Sequence, residues 1–306
     1  MIALSMNTAI KAEGVTKSYG RHVVLDHVSI AVEPGEIYGF IGPNGAGKTT
    51  LMKILVGLIE ANEGSVSFFD GMKLSQARRQ VGSLIEEPAY YPNCSGIENL
   101  RRYAILTGDN EVEIKDVLRS VGLENAANKK VAHYSLGMKQ RLGIAMALLG
   151  HPRALVLDEP NNGLDPEGIR DMRELLLRLA REEGIAILIS SHMLDELSRV
   201  STRFGLINGG KLVKEIPAKE LQEQCFAGIY VATPMVKEAI AALQEAGLTG
   251  PNDYYSNDSL FLKRKDIAAL EVSKSLFGAN IPVSALEERH TDIEDYVLNI
   301  LKGAIR

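Results

Sequence analysis

Residues 42–49 read Gly-Pro-Asn-Gly-Ala-Gly-Lys-Thr, the full pattern of a loop that cradles phosphate. Its glycines let the backbone curl, so that successive N–H groups point inward as an anion nest. A helix opening at Lys48 aims its positive end at the same point. Lys48 can reach the outer phosphates of a nucleotide, and Thr49 can place its hydroxyl on Mg²⁺. Two more chemical groups lie further along. Val156-Leu157-Asp158-Glu159 closes an apolar run. A carboxylate at such a strand end lies beside a phosphate loop and holds Mg²⁺, which makes Asp158 the metal candidate. Glu159, one residue on, can take a proton from attacking water. Alone, Asp-Glu after a strand is an ordinary polar strand end; the phosphate loop makes it specific. Ser190-Ser191-His192 closes a third apolar run. A histidine arriving at the same sheet edge can sense the terminal phosphate. His22, His27, His133, His151 and His290 show no ligand spacing and read as structural.

The elements that must carry these groups alternate. Residues 8–15, 22–32 and 64–69 read as strands, and 36–41 as a buried strand feeding the glycine loop, with a helix following to about 58. Residues 81–86 form another buried strand, 95–150 turn helical, and buried strands return at 153–158, 185–190 and 203–208 around a helix at 166–182. In the helical stretch the apolar rhythm includes Leu100, Ala104, Leu106, Val112 and Val117. Strands alternating with helices predict an α/β fold with a parallel sheet covered on both faces. After Ile216-Pro217 a short helix, 218–224, leads into strand 228–233, helix 235–246, strands 252–256 and 259–264, helix 266–277 and strand 281–286. This is the split βαβ, ferredoxin-like order of a small α+β domain. A helix at 291–302 ends the chain. The domains are therefore 1–217 and 226–306.

The chain has 306 residues, 45% hydrophobic and 24% charged, with net charge −5. That composition excludes a disordered or collagen-like chain. An acidic protein is a poor generic binder of phosphate backbones, so no nucleic-acid partner is expected. Cys94 and Cys225 are too far apart to suggest a disulfide framework or metal spacing, and they read as free thiols in a reducing compartment. No run approaches the ~20 apolar residues of a membrane span. The first residues lack the basic start and apolar core of a signal peptide. If the protein works at a membrane, another subunit must do the spanning.

Tyr134-Ser135-Leu136-Gly137-Met138-Lys139-Gln140-Arg141 lies 87 residues after Lys48 and just before the Asp-Glu strand. It resembles the signature motif of ATP-binding cassette (ABC) ATPases, and the motif order of residues 1–216 resembles that family throughout. The resemblance implies a cassette with a parallel-sheet core, an antiparallel β subdomain and a helical subdomain at about 88–150. It implies ATP and Mg²⁺ as cofactors. Tyr19 would stack on adenine. Gly42, Asn44, Gly45, Ala46, Gly47, Lys48, Thr49 and Thr50 would hold the phosphates. Glu86 falls where the family carries its Q-loop glutamine, Asp165 lies in the D-loop, and Asp158, Glu159 and His192 are magnesium carboxylate, catalytic base and switch histidine. Lys48 and Glu86 join Glu159 and His192 in the catalytic set; Thr49, Asp158 and Glu86 form the metal set. Ser135 and Gly137, at a helix start, would cap the ATP of a second cassette, so that the chain pairs around nucleotide with a second copy, as a homodimer, or with a close relative.

The departures from the common pattern are Leu136 and Met138 in the signature and Glu86 in place of glutamine. In these the chain resembles the antibiotic-export and self-resistance branch, the ATPases of bacitracin- and lantibiotic-type transporters. A carboxylate at 86 can approach Mg²⁺ and water, and when ionised repels the terminal phosphate. The resemblance implies that a membrane permease docks in the groove beside the Q-loop, here the region from Glu86 to Tyr103. Tyr90 and Tyr91, between Pro88 and Pro92, read as a contact surface; Ile97, Leu100 and Tyr103 read equally as core. The expected role is ATP hydrolysis powering export of an antimicrobial peptide, drug or similar amphipathic compound, at the cytoplasmic face of the membrane. The alternatives are an importer subunit, a soluble cassette ATPase acting on nucleic acid or ribosomes, and a scaffold with an inactive site. The C-terminal domain reads as a dimerisation module, a regulatory module or inert packing.

Overall fold

The computed structural model describes residues 8–192, 194–224, 227–250, 254–256, 259–262, 267–290, 293–301 and 303. The expectations for the first seven residues, for Cys225, for the side chain of His290 and for residues 252–253 and 263–264 lie outside the described set. The chain divides into two units, Met1–Ala218 and Lys219–Arg306.

The first unit holds β1 (Ile10–Tyr19), β2 (His22–Val32), β3 (Ile37–Ile41), α1 (Lys48–Val56), β4 (Glu63–Phe68), α2 (Leu74–Ala77) and β5 (Val81–Leu84). There follow α3 (Gly96–Thr107), α4 (Glu111–Ser120), α5 (Leu136–Leu148), β6 (Ala154–Asp158), α6 (Pro166–Arg181), β7 (Ala186–Ser191), α7 (Leu194–Leu197), β8 (Arg203–Asn208) and β9 (Lys211–Pro217). Six strands form one sheet in the order β5-β6-β7-β3-β8-β9. Its pairs are parallel except for β9, which returns antiparallel to β8. Every residue of β3, β6 and β7 is buried, as continuous apolar runs between covered faces must be. A second, antiparallel sheet has the order β2-β1-β4.

Local sequence explains the helices. α6 starts with Asp165 as cap and Pro166 as first residue, and buries Met172, Leu175, Leu176, Leu179 and Ala180, one helical stripe. Ser95 with Glu98, and Asn110 with Glu113, form capping boxes on α3 and α4. Leu106 and Val112 break the expected inward rhythm, being 83% and 67% exposed. Each is two positions off its helix's buried residues, Ala104 on α3 and Ile114 on α4, and so points away from that stripe. β1 also outruns its expected end at 15. Gly14 takes φ +57, a conformation glycine adopts freely, and the register shift there lets pairing with β2 resume.

The second unit contains α8 (Ala218–Gln224, its first residue in unit one), β10 (Ala227–Ala232), α9 (Val236–Glu245), β11 (Tyr254–Ser256), β12 (Leu260–Leu262), α10 (Ala269–Gly278), β13 (Ala285–His290) and α11 (Ile293–Leu301). Its sheet order is β11-β12-β10-β13 with every pair antiparallel, the arrangement of a split βαβ. Ile229, Val231, Leu243, Leu260, Val272 and Leu276 form its core. The last strand lies four residues later than the 281–286 expected. Pro282 has no N–H to give a ladder, and pairing starts only after Ser284 N–H donates to Ala232 O.

Candidate nucleotide site

The glycine loop joins β3 to α1, as the sequence requires. Gly47 has φ +107, and a Cβ there would stand 2.6 Å from Leu25 Cδ2 and 2.8 Å from Val24 O. At Gly42 a Cβ would meet Ile207 O at 2.2 Å. Both positions exclude a side chain, so the loop closes tightly on its neighbours. Within it Ala46 is buried, while Asn44 and Gly45 are exposed. Lys48 is 5% exposed; its Nζ donates to Gly42 O at 2.7 Å and lies 3.4 Å from Glu159 Oε1. Thr50 follows in the first turn of α1.

Parallel strands bring the remaining groups to one sheet edge. Asp158 ends β6 and pairs in register with Ser190 of β7. Thr49 Oγ1 donates to Asp158 Oδ2 at 2.7 Å, and Ser190 Oγ donates to Asp158 Oδ1 at 2.6 Å. Glu159 N–H donates to Ser190 Oγ at 2.9 Å. Glu159 Oε2 lies 2.6 Å from His192 Nδ1, so Lys48 and His192 hold its two oxygens from different sides. Ser190 was no sequence candidate for a role here. The signal was its place at the carboxyl end of an apolar strand, two residues before His192.

A cavity of about 550 Å³ opens beside this cluster, lined among others by Thr49, Glu86, Asp158, Glu159, Tyr90 and Lys139. Glu86 lies just past the end of β5 with φ +61, and its Oε1 accepts from Lys53 Nζ at 2.6 Å, a partner the sequence did not suggest. The buried Asn99 holds the loop that follows: its Oδ1 accepts from Tyr91 N–H at 2.7 Å and its Nδ2 donates to Tyr91 O at 3.1 Å. Tyr103 OH donates to Ala89 O at 2.8 Å, and burial raises its phenol pKa above the usual range. Tyr91 remains 56% exposed under the Arg102 guanidinium, whereas Ile97 and Leu100 are buried and act as core.

Other candidates lie outside the cluster. Tyr19 ends β1, 53% exposed, with Lys17 Nζ 5.3 Å from its ring centre. Ser135 caps α5, its Oγ accepting from Met138 N–H at 3.2 Å, and Gly137 follows in the first turn. Both have their polar groups at an open helix start. Asp165 Oδ1 accepts from Gly168 N–H at 3.0 Å and so serves its own helix.

The residues present fit a magnesium nucleotide. A buried ammonium lies against the glycine loop, and a hydroxyl–carboxylate pair supplies hard oxygen ligands. The family description "ABC transporter" matches residues 25–162. The chain is 35% identical, over 97% of its own length and 98% of the relative's, to an uncharacterized ABC transporter ATP-binding protein, YcbN, of Bacillus subtilis (strain 168). This chain belongs to the ABC transporter ATP-binding family. It is 46% identical over 225 residues to the bacitracin transport ATP-binding protein BcrA of Bacillus licheniformis, covering 72% of this chain and 73% of that one. Among solved structures it resembles the dimeric ABC transporter cassette MJ0796, at TM-score 0.62 and 26% identity, over 68% of this chain and 98% of the cassette. The chain is thus the ATP-binding, ATP-hydrolysing subunit of an ABC transporter. Among its described residues no helix is long and apolar enough to cross a membrane.

Proposed function

We propose that this subunit powers an exporter of antimicrobial peptides, drugs or similar amphipathic compounds, working as a homodimer at the cytoplasmic face of the membrane. The observation that carries this reading is the likeness to a bacitracin transport subunit in a chain whose Lys48, Thr49, Asp158, Glu159 and His192 lie within contact of one another. In the mechanism, Mg²⁺ supplies Lewis-acid polarisation of phosphate oxygens when bound, with Thr49, Asp158 and Glu86 as its candidate holders. Lys48 and the loop N–H groups offset phosphate charge. Glu159 takes the proton of attacking water, and His192 keeps its carboxylate turned to that task. Ser135 hydroxyl and Gly137 N–H of a second copy close over the phosphates, so loss of the terminal phosphate loosens the pair.

Two expected outcomes follow. Glu86→Gln removes a charge that repels the terminal phosphate and frees Lys53. ATP affinity should rise, and the Mg²⁺ concentration for half-maximal turnover should shift severalfold, read as ATPase rate across a Mg²⁺ series. Stability should change by less than about 1 kcal/mol, because the Lys53–Glu86 pair is exposed. A Mg²⁺ profile unchanged from the wild type would remove Glu86 from the metal set. The exporter reading itself is tested by isolating the subunit from native membranes in detergent. A protein with several membrane spans should accompany the wild type, and far less of it the double variant Tyr90→Ala, Tyr91→Ala, which should bind ATP normally. Equal recovery of the membrane protein with both would count against docking at this loop.

A further inference from the structure

Asp109, Glu113 and His151 come from three places: the α3–α4 loop, the first turn of α4, and the connection from α5 to β6. The fold brings a ligand atom of each within 4.8 Å of the others. His151 Nε2 lies 3.9 Å from Asp109 Oδ1 and 3.6 Å from Glu113 Oε1. The other oxygen of each carboxylate is already held. Asp109 Oδ2 accepts from Gly150 N–H at 2.9 Å and from the Thr107 hydroxyl, with the same N–H 3.1 Å from Oδ1. Glu113 Oε2 accepts from Asn110 N–H at 2.6 Å. Glu113 is thus fixed through Oε2, and Asp109 through Oδ2 and a Gly150 N–H shared between its two oxygens, while each presents an oxygen to the imidazole, as outer hydrogen bonds orient metal-ligating carboxylates.

The charge balance points the same way. The Asp109 side chain is 3% exposed, and among the described residues the one basic group within 4 Å of it is His151, itself 72% exposed. A buried carboxylate held by neutral donors lacks a full counter-charge. Ligands at 2.0–2.1 Å from a tetrahedral cation stand about 3.3 Å apart. The observed 3.6 and 3.9 Å call for a swing of the exposed ring, and the two carboxylate oxygens, which with the ring nitrogen lie within 4.8 Å of one another, close in by the remainder. A cavity of about 480 Å³, lined by Glu113 and His151 with Asp116 and Glu183 nearby, gives a cation and its water a way in.

We propose that Asp109, Glu113 and His151 bind a divalent transition-metal cation of the zinc class, with water in the remaining position. One imidazole and two carboxylates suit such a cation better than Mg²⁺ or Ca²⁺, which take oxygen alone. The site is separate from the nucleotide: His151 precedes β6, whereas Asp158 is the last residue of that strand. A cation there would fasten the α3–α4 corner to the joint between the helical segment and the sheet, where Gly150 and His151 both have positive φ.

The test is calorimetric titration of the full chain with Zn²⁺, stripped of metal and free of nucleotide. The wild type should bind one Zn²⁺ that both His151→Ala and Glu113→Gln weaken at least tenfold. Glutamine keeps the capping-box bond and His151 is exposed, so both variants should keep wild-type melting temperatures without metal. Wild type and variants titrating alike, or a wild type taking up no Zn²⁺, would overturn the site.

Discussion

Glu159→Gln is expected to lower ATP turnover at least about a hundredfold while ATP binding is retained. The substitution nearly keeps the shape of the side chain but replaces one of the two accepting oxygens held by Lys48 and His192 with an NH2, and so removes the proposed proton acceptor. Steady-state phosphate release gives the rate, and equilibrium binding of a fluorescent ATP analogue gives the affinity. Proportionate loss of both would mean that Glu159 holds nucleotide rather than activating water. His192→Ala should show a smaller loss in the same direction, since it leaves the carboxylate in place and removes one of its two anchors.

Lys48→Ala should act on the other side of the cycle, weakening ATP binding by a hundredfold or more. Lys48 is the buried cation of the loop, and its ammonium is met by Gly42 O and Glu159. Its removal withdraws positive charge from the phosphate site and leaves the Glu159 carboxylate facing the phosphates with one cationic neighbour fewer. Turnover should fall further than binding, because the ammonium also offsets charge that builds on the phosphates during reaction, so high ATP should not restore it fully. Normal ATP affinity in Lys48→Ala, measured with the same analogue, would displace the phosphates from this loop.

The nucleotide site was legible because its signals are local. The glycine loop, Asp158-Glu159 and His192 each sit at the end of a short apolar run, and a parallel sheet necessarily gathers such ends at one edge. The observed Asp158–Ser190 register completes that inference. The features the sequence did not show depend on pairing across the fold. Lys53 meets Glu86 across 33 positions, and His151 meets Asp109 across 42, with no spacing rule to announce either. The four-residue displacement of β13 has another origin: apolar pattern marked Ile281 as strand, while Pro282 denied it the ladder. Leu106 and Val112 show the same limit in the helices, where an apolar residue alone did not fix which face is inward.

In the proposed cycle ATP joins two copies of the chain, each supplying one wall of the site. Sedimentation of Glu159→Gln with ATP, with ADP and without nucleotide addresses this directly, alongside the double variant Glu159→Gln, Ser135→Arg. Paired species should gain markedly with ATP alone, and Ser135→Arg at the exposed cap of α5 should abolish the gain. An unchanged mass with ATP, or pairing that survives Ser135→Arg, would contradict that cycle.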